Sequence, residues 1–116
     1  MTKHPDPESF LPLTAPEYHV LLALGDRSLH GYAMIQAIEA KTDGRETLLP
    51  GTLYATLARM EERGLLEEVA APEGADARRR YYRVTGLGRR VGRAESARLR
   101  RLLTLAERED LAPEAS

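Results

Sequence analysis

Apolar residues in the first half of the chain recur at helical spacing in three blocks separated by Gly, Asp and Pro, and this pattern predicts three helices. Thr14-Ala15-Pro16-Glu17 opens the first: Thr14 can cap, Pro16 suits the first turn, and Glu17 three residues on completes a capping box. Tyr18, Leu21, Leu22 and Leu24 make this helix apolar on most sides, so it should lie centrally and end at Gly25-Asp26. A second helix is expected from about Gly31 to Lys41, with Met34, Ile35 and Ile38 as its buried stripe, before Thr42-Asp43-Gly44 breaks it. A third opens between Leu48 and Gly51, continues to Arg63 and stops at Gly64, with Leu53, Leu57 and Met60 setting its inner face.

Beyond Gly64 the apolar period shortens. Leu65 to Ala71 reads as a strand, residues 72–76 as a turn, and Arg79 to Thr85 as a second strand with Tyr82 and Val84 inward and Tyr81 outward. From Thr85 the pattern is helical again to about Asp110, although Gly86, Gly88 and Gly92 weaken its first turns by about 1 kcal/mol each relative to Ala. The first thirteen residues carry Pro5, Pro7 and Pro12 and read as an extended arm whose Phe10, Leu11 and Leu13 need a surface to lie on. The expected class is mainly α with a small β-hairpin. Its expected parts are an arm at 1–13, a winged helix-turn-helix at 14–85, a C-terminal helix at 86–110 and a flexible tail at 111–116.

Composition narrows the function classes. A chain of 116 residues with 42% hydrophobic and 30% charged residues suits one domain, and the single Phe makes its core aliphatic. The absence of Cys removes disulfides, thiol nucleophiles and Cys-ligated zinc. The longest apolar run, Val20 to Leu24, is far short of the ~20 residues that span a bilayer, and no signal-peptide pattern follows Met1. A soluble, cytoplasmic protein without membrane contact is expected. His4, His19 and His30 form no i, i+4 ligand pair, and no phosphate-cradling glycine loop occurs. Neither enzyme chemistry, a metal nor a cofactor is expected.

The net charge of -1 hides a partition along the chain. Residues 1–77 hold 6 Lys/Arg against 13 Asp/Glu, whereas residues 78–101 hold 10 Arg against Glu95 alone. On charge alone this block reads equally as a polyanion footprint or as a solvated helix face. The third helix adds to the first reading, because its outer side carries Gly51, Thr52, Ala55, Ala58 and Arg59. Small residues there suit a helix entering a major groove, with Thr52 and Arg59 reading or positioning and the Tyr54 hydroxyl meeting a phosphate. The plainer reading is an ordinary helix with Thr52 as a cap and Tyr54 half-buried. Arg78, Arg79 and Arg80, beside Tyr81, sit where a wing would meet a DNA backbone or minor groove, or where charges protect an exposed hairpin edge. Arginines 89–101 are the part of the block best read as a solvated helix face.

Three stretches resemble the PadR family of bacterial transcriptional regulators: Leu29-His30-Gly31-Tyr32-Ala33-Met34-Ile35, Pro50-Gly51-Thr52-Leu53-Tyr54-Ala55-Thr56-Leu57 and Arg78-Arg79-Arg80-Tyr81-Tyr82-Arg83-Val84-Thr85. The resemblance spans about residues 11–92. It implies a winged-helix DNA-binding domain with a C-terminal dimerisation helix, usually a repressor released by a small-molecule effector. It places Gly51, Thr52 and Tyr54 in the major groove, Arg78, Arg79 and Arg80 on the wing, and His30, Gly31 and Tyr32 by the DNA backbone. Only about 25 residues follow the wing, as in the family's short subgroup. Some short members hold flat aromatic drugs between tryptophans, a mode this Trp-free chain lacks.

The resulting expectation is a homodimeric repressor on double-stranded DNA, bound to a pseudo-palindromic operator with half-sites about one helical turn (~10 bp) apart. Leu99, Leu102, Leu103 and Ala106 are expected at the dimer interface, joined by Phe10 and Leu11. The alternative is a winged-helix protein-interaction module that never touches DNA; sequence-selective DNA binding separates the two.

Overall fold

In a computed structural model, residues 5–114 are described; residues 1–4 of the expected arm, with His4, and residues 115–116 of the expected tail lie outside the described residues. The capping box forms as the sequence requires. Thr14 Oγ1 accepts the Glu17 N–H at 3.2 Å and Glu17 Oε1 accepts the Thr14 N–H at 2.8 Å, starting α1 (Ala15–Leu24), which ends at Gly25 with φ +56°. Next come α2 (Gly31–Lys41) and α3 (Pro50–Glu62), the latter followed by Gly64 at φ +80°. The last helix, α4, spans Gly86–Arg108 and is capped by Thr85, whose Oγ1 accepts the Gly88 N–H at 3.0 Å.

Two expectations are corrected here. The arm is not extended throughout, because Pro7–Phe10 forms a turn of 3-10 helix with Asp6 Oδ1 accepting the Glu8 N–H at 3.0 Å. Pro7 stands at the first position of that turn, where a fixed φ near -65° and a missing N–H are no obstacle. The sheet, in turn, is not a lone hairpin. It has three antiparallel strands in the order β1-β3-β2, with β1 at Leu29–His30, β2 at Leu66–Val69 and β3 at Tyr81–Val84. Leu29 pairs with Tyr82 and His30 with Tyr81, while Leu66 through Val69 pair with Val84 through Tyr81. A two-residue strand is too short to carry an alternation signal.

The helices and sheet enclose an aliphatic core in which Val20, Leu24, Met34, Leu53, Leu57, Met60, Leu65 and Val91 are almost wholly buried. α4 begins hard against it. A Cβ at Gly88 would stand 2.1 Å from the Leu65 carbonyl oxygen, and the Thr85 N–H donates to that same oxygen at 3.1 Å. The glycine that weakens the helix locally is therefore what allows it to dock.

Two buried carboxylates tie the arm down. Glu95 of α4 accepts the Leu13 N–H at 2.7 Å and is bridged by Arg98. Glu17 pairs with Arg63 at 3.1 Å, and the Arg63 guanidinium lies 4.9 Å over the Phe10 ring. Phe10 and Leu11, both half-buried, thus lie against their own protomer's core. No helix among the described residues is long and apolar enough to cross a membrane.

Candidate nucleic-acid interface

α3 meets the geometric demand made on a reading helix. Leu53, Leu57 and Met60 are 0–1% exposed, with Thr56 buried beside them, and the opposite side presents Gly51, Thr52, Ala55, Ala58 and Arg59 to solvent. Leu49 precedes the helix without a side-chain cap, and the first intrahelical bond runs from the Leu53 N–H to the Leu49 carbonyl at 2.9 Å. The Gly51 and Thr52 N–H groups therefore stand at the open, electropositive end of the helix. Thr52 does not act as the cap.

Tyr54 is 53% exposed, and its ring lies on the start of α2: a Cβ at Gly31 would fall 2.8 Å from it. Gly31 is consequently buried under that ring rather than standing open at the surface. What it provides is space for the Tyr54 ring. Tyr32, one residue on, is 54% exposed beside it in sequence.

His30 joins α2, β1 and the wing. Its Nδ1 caps α2 by accepting the Ala33 N–H at 3.1 Å, and Arg79 Nη1 stands 3.3 Å from the same nitrogen. Nδ1 must be unprotonated to serve as this cap. Burial, and then the Arg79 charge, push the His30 pKa below its ordinary value, opposed by Asp76. Tyr81 packs edge-on against the His30 ring, with centroids 5.5 Å apart at 78°, and is 6% exposed. The outward, DNA-facing place expected for Tyr81 is thus overturned, because β1 closes over the side of β3 that a two-strand hairpin would have left open.

The three wing arginines remain outside: Arg78, Arg79 and Arg80 side chains are 91%, 46% and 76% exposed. Arg79 also reaches over the Tyr32 ring, 6.0 Å from its centroid. Between wing and α3 lies a cavity of about 300 Å³ lined by His30, Gly31, Tyr54, Arg79, Arg80 and Tyr82. Two guanidinium groups, two phenols and an imidazole thus border one concavity beside the reading helix, a donor set matched to phosphodiester oxygens. The residue that sequence reasoning passed over is Asp76, which bonds to two of the wing arginines. Its signal was an acid two and three residues before an Arg pair.

α4 separates the remaining arginines. Arg89 donates to the Gly25 carbonyl at 2.8 Å and Arg98 binds Glu95, so these two hold the fold. Arg93 and Arg100, with Arg89, border a groove of about 390 Å³ between α1 and α4, floored by Leu21, Leu22 and Gly92 near the paired hydroxyls of Tyr18 and Ser96. Past Glu95, Leu99, Leu102 and Leu103 are 38%, 48% and 53% exposed, continuing the apolar stripe beyond the body it first packs on.

A slim helix face beside a basic hairpin, on this arrangement of helices and sheet, defines a winged-helix protein. The model of the "Transcriptional regulator PadR-like family" matches residues 20–94, and the chain belongs to that family. It is 40% identical over 83 residues to an uncharacterized 37.1 kDa protein in transposon TN4556 of Streptomyces fradiae, covering 72% of this chain and 22% of that one. A PadR family transcription regulator from Clostridium difficile R20291 shares the fold, with a TM-score of 0.69 at 21% identity over 82% of this chain and 97% of that one. The PcaV transcriptional regulator from Streptomyces coelicolor, solved in complex with its natural ligand, gives a TM-score of 0.68 at 30% identity over 91% and 66% of the two chains. The chain spans less than two thirds of the curated relatives it matches, 22% of one and 64% of another.

Proposed function

We propose that this protein is a homodimeric transcriptional repressor that inserts α3 into adjacent major grooves of a pseudo-palindromic operator and is released by a small-molecule effector. The observation that carries this reading is the slim outer face of α3 lying beside the cavity bordered by Arg79, Arg80, Tyr54 and His30. Thr52 and Arg59 meet base edges, while Tyr54 and the wing arginines hold phosphates. The exposed Leu99, Leu102 and Leu103, with the half-buried Ala106, support pairing through α4 about a two-fold axis. The groove between α1 and α4, apolar at its floor and polar at its rim, supports an effector site.

Footprinting of the promoter nearest the protein's own gene tests the reading: a protected pseudo-palindrome is expected. On that site Thr52→Val and Arg59→Ala change the preferred sequence, whereas Arg79→Ala weakens binding to every duplex and flattens the salt slope by about one unit. Uniform, sequence-blind binding by the wild-type protein would refute the operator reading, and no DNA binding would make the winged helix a protein-interaction module.

A further inference from the structure

The wing carries its own anion. Asp76 Oδ1 accepts the Arg78 backbone N–H at 3.0 Å and Arg78 Nε at 3.1 Å, and Oδ2 accepts Arg78 Nη2 at 3.3 Å. The same carboxylate lies 3.7 Å from Arg79 Nε, while Arg79 Nη1 makes the His30 contact. Two charged oxygens spread over a guanidinium fork and a neighbouring guanidinium reproduce the way a phosphodiester is held. The pairing sits at the surface, with Arg78 91% exposed, so exchange for another anion requires no unfolding. The two acids on β2 are placed differently: Glu67 stands directly across the ladder from Arg83 and bonds it there, and Glu68 pairs with Arg80. The Arg78 hydrogen bonds hold the Asp76 carboxyl below its ordinary pKa, so it is charged at neutral pH.

We infer, resting on the DNA-binding reading above, that the Asp76 carboxylate is an intramolecular stand-in for a DNA phosphate, holding Arg78 and Arg79 until a duplex displaces it. Free wings are thereby kept from sticking to DNA on charge alone, because each phosphate contact must first break a pair already made. Asp76→Asn isolates the charge: the amide oxygen still accepts the Arg78 N–H and preserves the turn, while the competing anion is gone.

The experiment is a salt titration of binding to an operator fragment and to a random duplex of equal length, with thermal melts as the control for folding. Asp76→Asn is expected to bind about fivefold tighter per engaged protomer at 0.15 M salt, with a log–log slope steeper by about 0.9 per protomer. In an Arg78→Ala, Arg79→Ala background the same change gives no gain. Equal or weaker binding by folded Asp76→Asn overturns the inference and makes Asp76 a residue that merely orders the loop. Wild-type protein that binds neither duplex overturns the DNA-binding reading itself.

Discussion

Gly51→Ala separates the demands of the fold from those of DNA. Gly51 is the second residue of α3, in ordinary helical geometry, and a Cβ built there meets nothing within 4 Å. The isolated protein therefore has no need of glycine at this position. Alanine lowers the entropy of the unfolded chain and favours the helix, a gain of about 0.4–1 kcal/mol, or roughly 2–5 °C in melting temperature for a domain of this size. In the proposed docking of α3 on DNA, the added methyl would lie between the helix backbone and the groove. Forcing it into a close-packed interface costs about 1–3 kcal/mol, roughly 5- to 150-fold in affinity. Thermal melts and fluorescence anisotropy on the footprinted operator should accordingly move in opposite directions. A variant that is stabilised yet binds as tightly as wild type would place Gly51 outside the contact and refute the reasoning. A loss of both stability and binding would refute the helical geometry assigned to this residue.

Three further outcomes are expected. Gly88→Ala drives a methyl into the Leu65 carbonyl, 2.1 Å away, and should cost about 3 kcal/mol in urea unfolding; an unchanged midpoint would mean that α4 does not dock there. Leu102→Glu puts a charge into the exposed α4 stripe and should turn a dimer into a monomer in sedimentation at micromolar concentration, whereas a dimer that survives places the interface elsewhere. Glu95 has a folded pKa held below 4.5 by Arg98 and then by the Leu13 N–H against the opposing effect of burial, so its contribution is complete above pH 4.5 and lost as pH falls through the folded value. Glu95→Gln should cost about 1–3 kcal/mol at pH 7, with the gap from wild type closing in acid; a gap independent of pH would mean the carboxylate charge is not what holds the arm.

Local rules made much of this molecule legible. The capping box at Thr14 and Glu17, the glycines that end α1 and α3, and the apolar spacing of Leu53, Leu57 and Met60 act over a few residues, and each produced the expected element or face. The wing arginines were likewise readable, because exposed charge on a turn needs no distant partner. The misplacements share one cause. Gly31 and Tyr81 were read as surface contacts from their neighbours in sequence, but Tyr54 from 23 positions away covers the first and β1 from some 50 positions away covers the second.

By itself, then, the sequence determined the four α-helical segments, the inward face of α3, and where positive charge concentrates, because these follow from short-range sterics and the helical period. The tertiary structure alone decided that a two-residue strand completes the sheet, that Gly88 must be small to meet the Leu65 carbonyl, and that Glu95 holds an arm 82 residues away. It also decided how the arginines of α4 are engaged, since Arg98 is tied to Glu95 and Arg89 to the Gly25 carbonyl, while Arg93 and Arg100 join Arg89 along an open groove. Close approach and pairing between distant segments depend on how the whole chain packs, and no window of neighbouring residues contains that information.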